Sequence, residues 1–181
     1  MDTDLVVRAQ HGDKGAYALV ATEIAGRFRT VARRILRDMD LAEDATQQAL
    51  LAIWQDLPQL RDLGRFEAWS YRLLVRACYV EGRKTRAWAP NLRILPADAS
   101  AEDDGLSSVV VRDELERGFR RLSIDHRAVV VLHHYLDQPL DRVAEILGIP
   151  TGTAHSRLHH AMRALRAALD ADLRPTALEV I

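Results

Sequence analysis

Apolar residues recur along most of this chain at intervals of three and four, the spacing that gathers them on one face of a helix. Ala16, Leu19, Val20, Ile24, Phe28, Val31, Ala32 and Ile35 predict one or two amphipathic helices over 15–37, and Asp38-Met39-Asp40 breaks the run. A helix over 41–57 follows, with Ala45, Ala49, Leu50, Ile53, Trp54 and Leu57 on one side. Pro58 ends it, because proline brings no amide hydrogen to the ladder. Past a loop holding Pro58 and Gly64, a helix over 65–86 opens with Phe66 and Trp69 and closes on Arg83-Lys84-Thr85-Arg86. Helices over 112–121 and 125–136 flank Leu122-Ser123-Ile124. The strand signal is confined to the short run from Ser107 to Val111. The pattern predicts an all-α protein.

The last third is the most legible. Asp141 to Leu147 reads as a short helix with Val143, Ala144, Ile146 and Leu147 apolar. Gly148-Ile149-Pro150 is a turn, and Thr151 or Thr153 can cap a new helix running to about Leu169. Helix, short turn, helix is the helix-turn-helix layout. At 100° per residue the stripe Ala154, Leu158, Ala161, Met162, Leu165 and Leu169 points inward. Ser156, His160 and Arg163 point the opposite way, with Thr153 and His159 beside them. A face of hydroxyls, imidazoles and guanidiniums without a carboxylate can enter a major groove, where it meets base edges and phosphates. The plainer reading is the solvated side of a helical hairpin.

Charge sharpens this picture. The net charge of the 181 residues is -1, which argues against a generic nucleic-acid binder. Residues 1–86 carry net +2, residues 87–111 net -3, and residues 112–181 net 0. From Thr151 to Leu169 there is no acid, but there are Arg157, Arg163 and Arg166 with His155, His159 and His160: a basic strip in a neutral segment. Residues 87–110, with Pro90, Pro96, Gly105 and Glu102-Asp103-Asp104, read as a linker with little packed core. The single cysteine, Cys78, permits no internal disulfide and fits a reducing compartment. No apolar run approaches the roughly 20 residues of a membrane span, and the acidic N-terminus has no signal-peptide layout. A cytoplasmic protein without membrane insertion is expected. His155 and His159 stand four apart, as metal ligands on a helix can, but no third ligand is apparent in the sequence. No nucleophile elbow, P-loop or glycine-rich phosphate cradle occurs. The expectation is a non-enzyme with no catalytic residues, metal or cofactor.

At these residues the chain resembles the extracytoplasmic-function sigma factors, small members of the sigma-70 superfamily of bacterial RNA polymerase. The string Gly152-Thr153-Ala154-His155-Ser156-Arg157-Leu158 is similar to the family's Gly-Thr-Val-Lys-Ser-Arg-Leu in region 4. Ala154 and His155 stand where Val and Lys are usual. Ala42-Glu43-Asp44-Ala45-Thr46-Gln47, with Trp54, resembles the Ala-Glu-Asp-x-x-Gln helix of region 2 that grips the clamp helices of the polymerase β′ subunit. Phe66-x-x-Trp69-Ser70-Tyr71-Arg72 resembles the Phe-x-x-Trp-Leu-Tyr-Arg start of the helix that handles the melted minus-ten element. Two motifs in the right order are far more specific than either alone. Departures also occur. Seven residues after Trp69 the family usually has Asn, and four residues later Asp; here Arg76 and Val80 stand there, before a matching Arg83.

The resemblance implies a division into region 2 at 1–86, a flexible linker at 87–111, a region 4 helix-turn-helix at 112–172 and a tail at 173–181. It implies polymerase contacts from Glu43, Asp44, Gln47 and Gln48. Minus-ten contacts fall to Phe66, Trp69, Arg72, Arg76, Val80 and Arg83. Minus-thirty-five contacts fall to Thr153, His155, Ser156, Arg157, His159, His160 and Arg163. Aromatic rings interleaved with cations suit single-stranded DNA, although Phe66, Trp69, Tyr71 and Tyr79 also suit a core. The implied partners are core RNA polymerase, through its β′ clamp helices and β flap, promoter DNA and an anti-sigma factor. The implied function is promoter selection and melting at transcription initiation. The competing function is a helix-turn-helix regulator that is not a sigma subunit. A sigma factor leaves Glu43 to Gln47 exposed; a dimeric regulator buries them.

Overall fold

The computed structural model describes residues 2–88 and 115–172, with side chains to residue 84 and from 115 to 169. The predicted linker beyond residue 88, the Ser107 to Val111 run and the tail from 173 lie outside the described residues. Among the described residues there is no strand, and the fold is all-α.

Three helices build the N-terminal bundle: α2 (Lys14–Leu36), α3 (Met39–Asp56) and α4 (Phe66–Trp88). A shorter helix, α1 (Thr3–Gln10), packs on α2. The periodicity above misses α1, because two turns carry only Val6 and Ala9 into the core. Aspartates start the helices here. The side chains of Asp2, Asp13 and Asp38 accept from the backbone N–H groups of Asp4, Ala16 and Leu41 at 3.0, 3.0 and 2.9 Å. Each satisfies a first-turn donor and places a negative charge at the positive end of a helix. Asp38 stands at the predicted break and also caps the next helix, so α3 begins two residues before the predicted start. Arg37 joins α2 to α3 in left-handed conformation, at φ 63°.

The C-terminal unit has helix 115–121, here α5, followed by α6 (Ile124–Val130), capped by Ser123. Val131–Tyr135 form a π turn that carries His133 and His134. Then come α7 (Leu140–Leu147) and α8 (Thr151–Asp172). Gly148 closes α7 at φ +65°, a conformation that costs an L side chain about 1–2 kcal/mol. Pro150 holds the cap position of α8, its carbonyl accepting from Thr153 and Ala154. Thr151 and Thr153 lie inside the helix rather than capping it.

The two units are packed together. Phe28, Ile35, Ile53, Leu57 and Leu74 belong to the same buried cluster as Ala128, Val129, Leu132, Val143 and Ile146. A smaller cluster of Leu122, Val130, Ala161 and Leu165 seats α8 on α6. Helix α7 lies against α4, and α6 against α2 and α4. Gly82 permits that approach: a Cβ there would sit 2.8 Å from the Ile124 Cδ1 and 3.5 Å from the Leu36 Cδ2.

Candidate nucleic-acid and protein interfaces

Helix α8 places its predicted stripe inward. Ala154, Ala161 and Leu165 are buried, and Leu158, Met162 and Leu169 are half-buried. The opposite face presents His155, Ser156, His159, His160 and Arg163, all exposed. Ser156 donates back to the Thr153 carbonyl at 3.0 Å, and Arg163 lies 3.3 Å from the His160 ring nitrogen. Arg157 stands apart from the other predicted readers. It is half-buried and turned toward α6, 3.4 Å from the Asp125 carboxylate. Thr153 is also half-buried. The exposed face carries no carboxylate along its described length, so a polyanion can approach it.

Helix α4 separates its aromatics from its cations. Phe66 and Tyr71 are 5% and 3% exposed, so these rings fix the helix to the core and offer no stacking surface in this arrangement. Tyr71 packs on Phe28, with ring centroids 5.4 Å apart. Trp69 is half-buried, 6.0 Å from the Phe66 ring. Arg72, Arg76, Val80 and Arg83 are exposed, Val80 by 42%. Tyr79 is half-buried, and burial pushes its phenol well above the usual range, with the Asp125 charge adding to the effect. Burial likewise pushes the Cys78 thiol up to about 12, leaving it an unreactive core residue.

Helix α3 presents Asp44, Gln47 and Gln48 to solvent, with Glu43 beside them. Glu43 pairs with Arg29 of α2 at 2.8 Å and accepts from Gln47 at 3.3 Å. Gln48 is engaged inward: its amide donates to the buried carboxylate of Glu81, which Lys84 also holds at 2.7 Å. That contact ties α3 to α4.

Some surface features escaped the sequence reading. Leu51, 57% exposed, joins Tyr17, Gln47, Leu50, Trp54 and Lys14 around an open, mainly apolar groove of about 480 Å³ beside the acidic face. Leu51 lies off the stripe of buried alanines and Ile53, which is the available signal. Leu19, placed in the α2 stripe by its spacing, is 58% exposed. Arg65 and Glu145, far apart in sequence, form an ion pair of 2.8 Å. No local pattern announces it. Among the described residues no group of three or more His, Cys, Asp or Glu could hold a metal ion.

A helix-turn-helix whose second helix has an exposed face free of carboxylates along its described length, packed on a bundle with a cation-lined helix, defines a two-unit all-α protein of the helix-turn-helix class. Comparison with known families is more specific. Residues 21–88 match the sigma-70 region 2 family and residues 112–165 match sigma-70 region 4. The chain is 30% identical to the sigma factor SigL of Mycobacterium tuberculosis, over 76% of this chain and 80% of SigL. It is 26% identical to the RNA polymerase sigma-H factor of Pseudomonas aeruginosa, over 96% of each. It shares its fold with the sigma factor RpoE of Bartonella quintana, solved in complex with the anti-sigma factor NepR. The TM-score is 0.67 at 23% identity, covering 86% of this chain and 98% of RpoE. The chain belongs to the extracytoplasmic-function sigma factors of the sigma-70 family. Sigma factors are generally initiation factors that bind DNA without catalysing a reaction, and nothing in these relatives favours the free-standing regulator.

Proposed function

We propose that α3 docks core RNA polymerase while α4 and α8 read the two promoter elements. The exposed face of α3 carries this reading. Asp44 and Gln47 stand in solvent beside the Leu51 groove, an arrangement of polar rim and apolar floor that suits a helical partner such as the β′ clamp helices. A dimer interface would need that face covered. Helix α8 enters the major groove of the minus-thirty-five element through Ser156, His159, His160 and Arg163, with His155 at the edge. The neighbouring C-terminal unit is the side that meets the β flap. Arg72, Arg76 and Arg83 follow the melted minus-ten strand, with Val80 and Trp69 as apolar contacts. Residues 1–86 and 112–172 act as the two functional units. An anti-sigma partner is supported by the Bartonella quintana relative, whose structure holds one. The protein acts as a binding factor with no reaction of its own, in the cytoplasm beside the polymerase. No helix of the described residues is long and apolar enough to cross a membrane.

The test is Asp44→Arg combined with Gln47→Ala. Both side chains are exposed, so the thermal unfolding profile should be unchanged while co-elution with core polymerase is lost. Co-elution at the wild-type level would overturn the docking assignment.

A further inference from the structure

The exposed face of α8 holds three imidazoles, those of His155, His159 and His160. One of them is bonded in a way that fixes where its hydrogen lies. Arg163, one turn on, places its Nη2 3.3 Å from the His160 Nδ1. A guanidinium has only donors, so Nδ1 accepts, and His160 is neutral with its hydrogen on Nε2. That hydrogen suits an acceptor on a base edge in the major groove: a purine N7, guanine O6 or thymine O4. The same bond steers Arg163, whose remaining donors are left for a phosphate. Around this pair, the His159 ring stands edge-on to His160, with centroids 5.9 Å apart. On α6, the Ser123 hydroxyl lies 3.1 Å from the His126 Nδ1. Burial holds His126 toward its neutral form, opposed by Asp125 and aided by His160 and Arg157. Asp125 itself lies 3.4 Å from Arg157. On α7, Arg142 and Glu145 pair with each other, and Asp141 lies in the first turn. Helix α5 meets α8 farther on, where Gly118 faces Leu165 and Ala168, and its Glu116 is held by Arg37 and Arg120. Among the described residues no carboxylate bonds to His160.

We infer that His160 is a specificity-determining and positioning residue of α8: neutral, it orients Arg163 and reads a base acceptor, and on gaining a proton it exchanges both roles for a second phosphate contact. This rests on the reading of α8 as the duplex-binding helix. Imidazole is the side chain whose ordinary charge change falls between about pH 5 and 8. Its charged form carries a donor on both nitrogens, so it cannot accept from Arg163, and the two cations repel. A ring so released turns to the charged phosphate oxygen in preference to a neutral base edge. Phosphate in turn favours the charged ring, so binding takes up the proton. Affinity for any duplex therefore rises as pH falls, while discrimination between base pairs falls.

The experiment uses the full chain. A duplex that wild type selects from a randomised pool at about pH 8 is titrated with its single base-pair variants, at about pH 8 and about pH 6 and at several salt concentrations. His160→Gln keeps an acceptor for Arg163 and a donor for the base but takes up no proton, whereas His160→Lys carries a charge and no acceptor. His160 is exposed, so both variants should fold, and His155 and His159 remain in every protein as a common background. Wild type should lose roughly tenfold of its discrimination at one base pair on moving to about pH 6. Its salt slope should steepen by about 0.9 more than that of His160→Gln, one additional phosphate. His160→Gln should discriminate equally at both pH values, and His160→Lys should discriminate poorly already at about pH 8. Equal pH dependence in wild type and His160→Gln, or full discrimination by His160→Lys, would overturn the inference. Ser156→Glu tests the underlying reading. If it binds duplex as wild type does, α8 is not the reader and the inference falls with it. If it is weakened while the His160 variants behave as wild type, the inference alone falls.

Discussion

If α4 handles the melted strand as proposed, single side chains decide what it can say to a base. Where the family resemblance leads to an expected Asn and Asp, this chain has Arg76 and Val80, both exposed on one face of the helix. Arginine offers only donors and a positive charge, and valine offers neither donor nor acceptor. Such a face favours phosphate and stacking contacts over amide readout of base edges. The minus-ten preference should accordingly be relaxed or altered. Arg76→Asn with Val80→Asp should move it toward the pattern usual in the family, measured by transcription from a randomised minus-ten library with both proteins. Identical base preferences would show that these two positions do not read DNA. The same scale shows what sequence motifs leave open. Arg157 sits inside a well-matched motif and Gln48 directly follows another; Arg157 is paired to Asp125 and the Gln48 amide is bonded to Glu81. A motif gives the position of a residue on its helix but not the partner that a different helix supplies.

At the scale of elements, the helical periodicity found α2, α3, α4 and the helix-turn-helix, because each presents several apolar residues to a core. It missed α1, whose two turns are too short to show a period, and it did not reveal Asp38 as a cap, a role that depends on where its side chain points. The exposed face of α8 was legible throughout: its stripe and its polar side were both assigned from spacing, and Ser156, His160 and Arg163 lie outward. Two substitutions there should separate specificity from attraction. Ser156→Glu puts a carboxylate into the groove and should cost about 1–3 kcal/mol, or roughly tenfold to more than a hundredfold in affinity for the upstream duplex. Arg163→Ala should weaken binding evenly across sequences and flatten its salt dependence, as loss of a phosphate contact does. Duplex titrations at several salt concentrations check both. Wild-type affinity in both variants would rule out this face as the reader.

Across the whole molecule, what periodicity could not reveal is how the units meet. Arg65 with Glu145, Gly82 with Ile124 and Arg34 with Tyr135 are contacts between segments far apart in the chain, and nothing local in the sequence pairs them. They bring the two halves into one core while the α3 and α8 faces stay exposed. On the proposed reading, the protein uses those faces at once, one for the polymerase and one for duplex DNA, and uses α4 once the strands part. Run-off transcription measures all three together. Core polymerase with this protein, on a library of genomic promoter fragments, should yield discrete transcripts absent with core polymerase alone, and these should disappear with Asp44→Arg plus Gln47→Ala. Transcripts no different from core polymerase alone, from a protein that still binds both the polymerase and upstream duplex, would contradict the account.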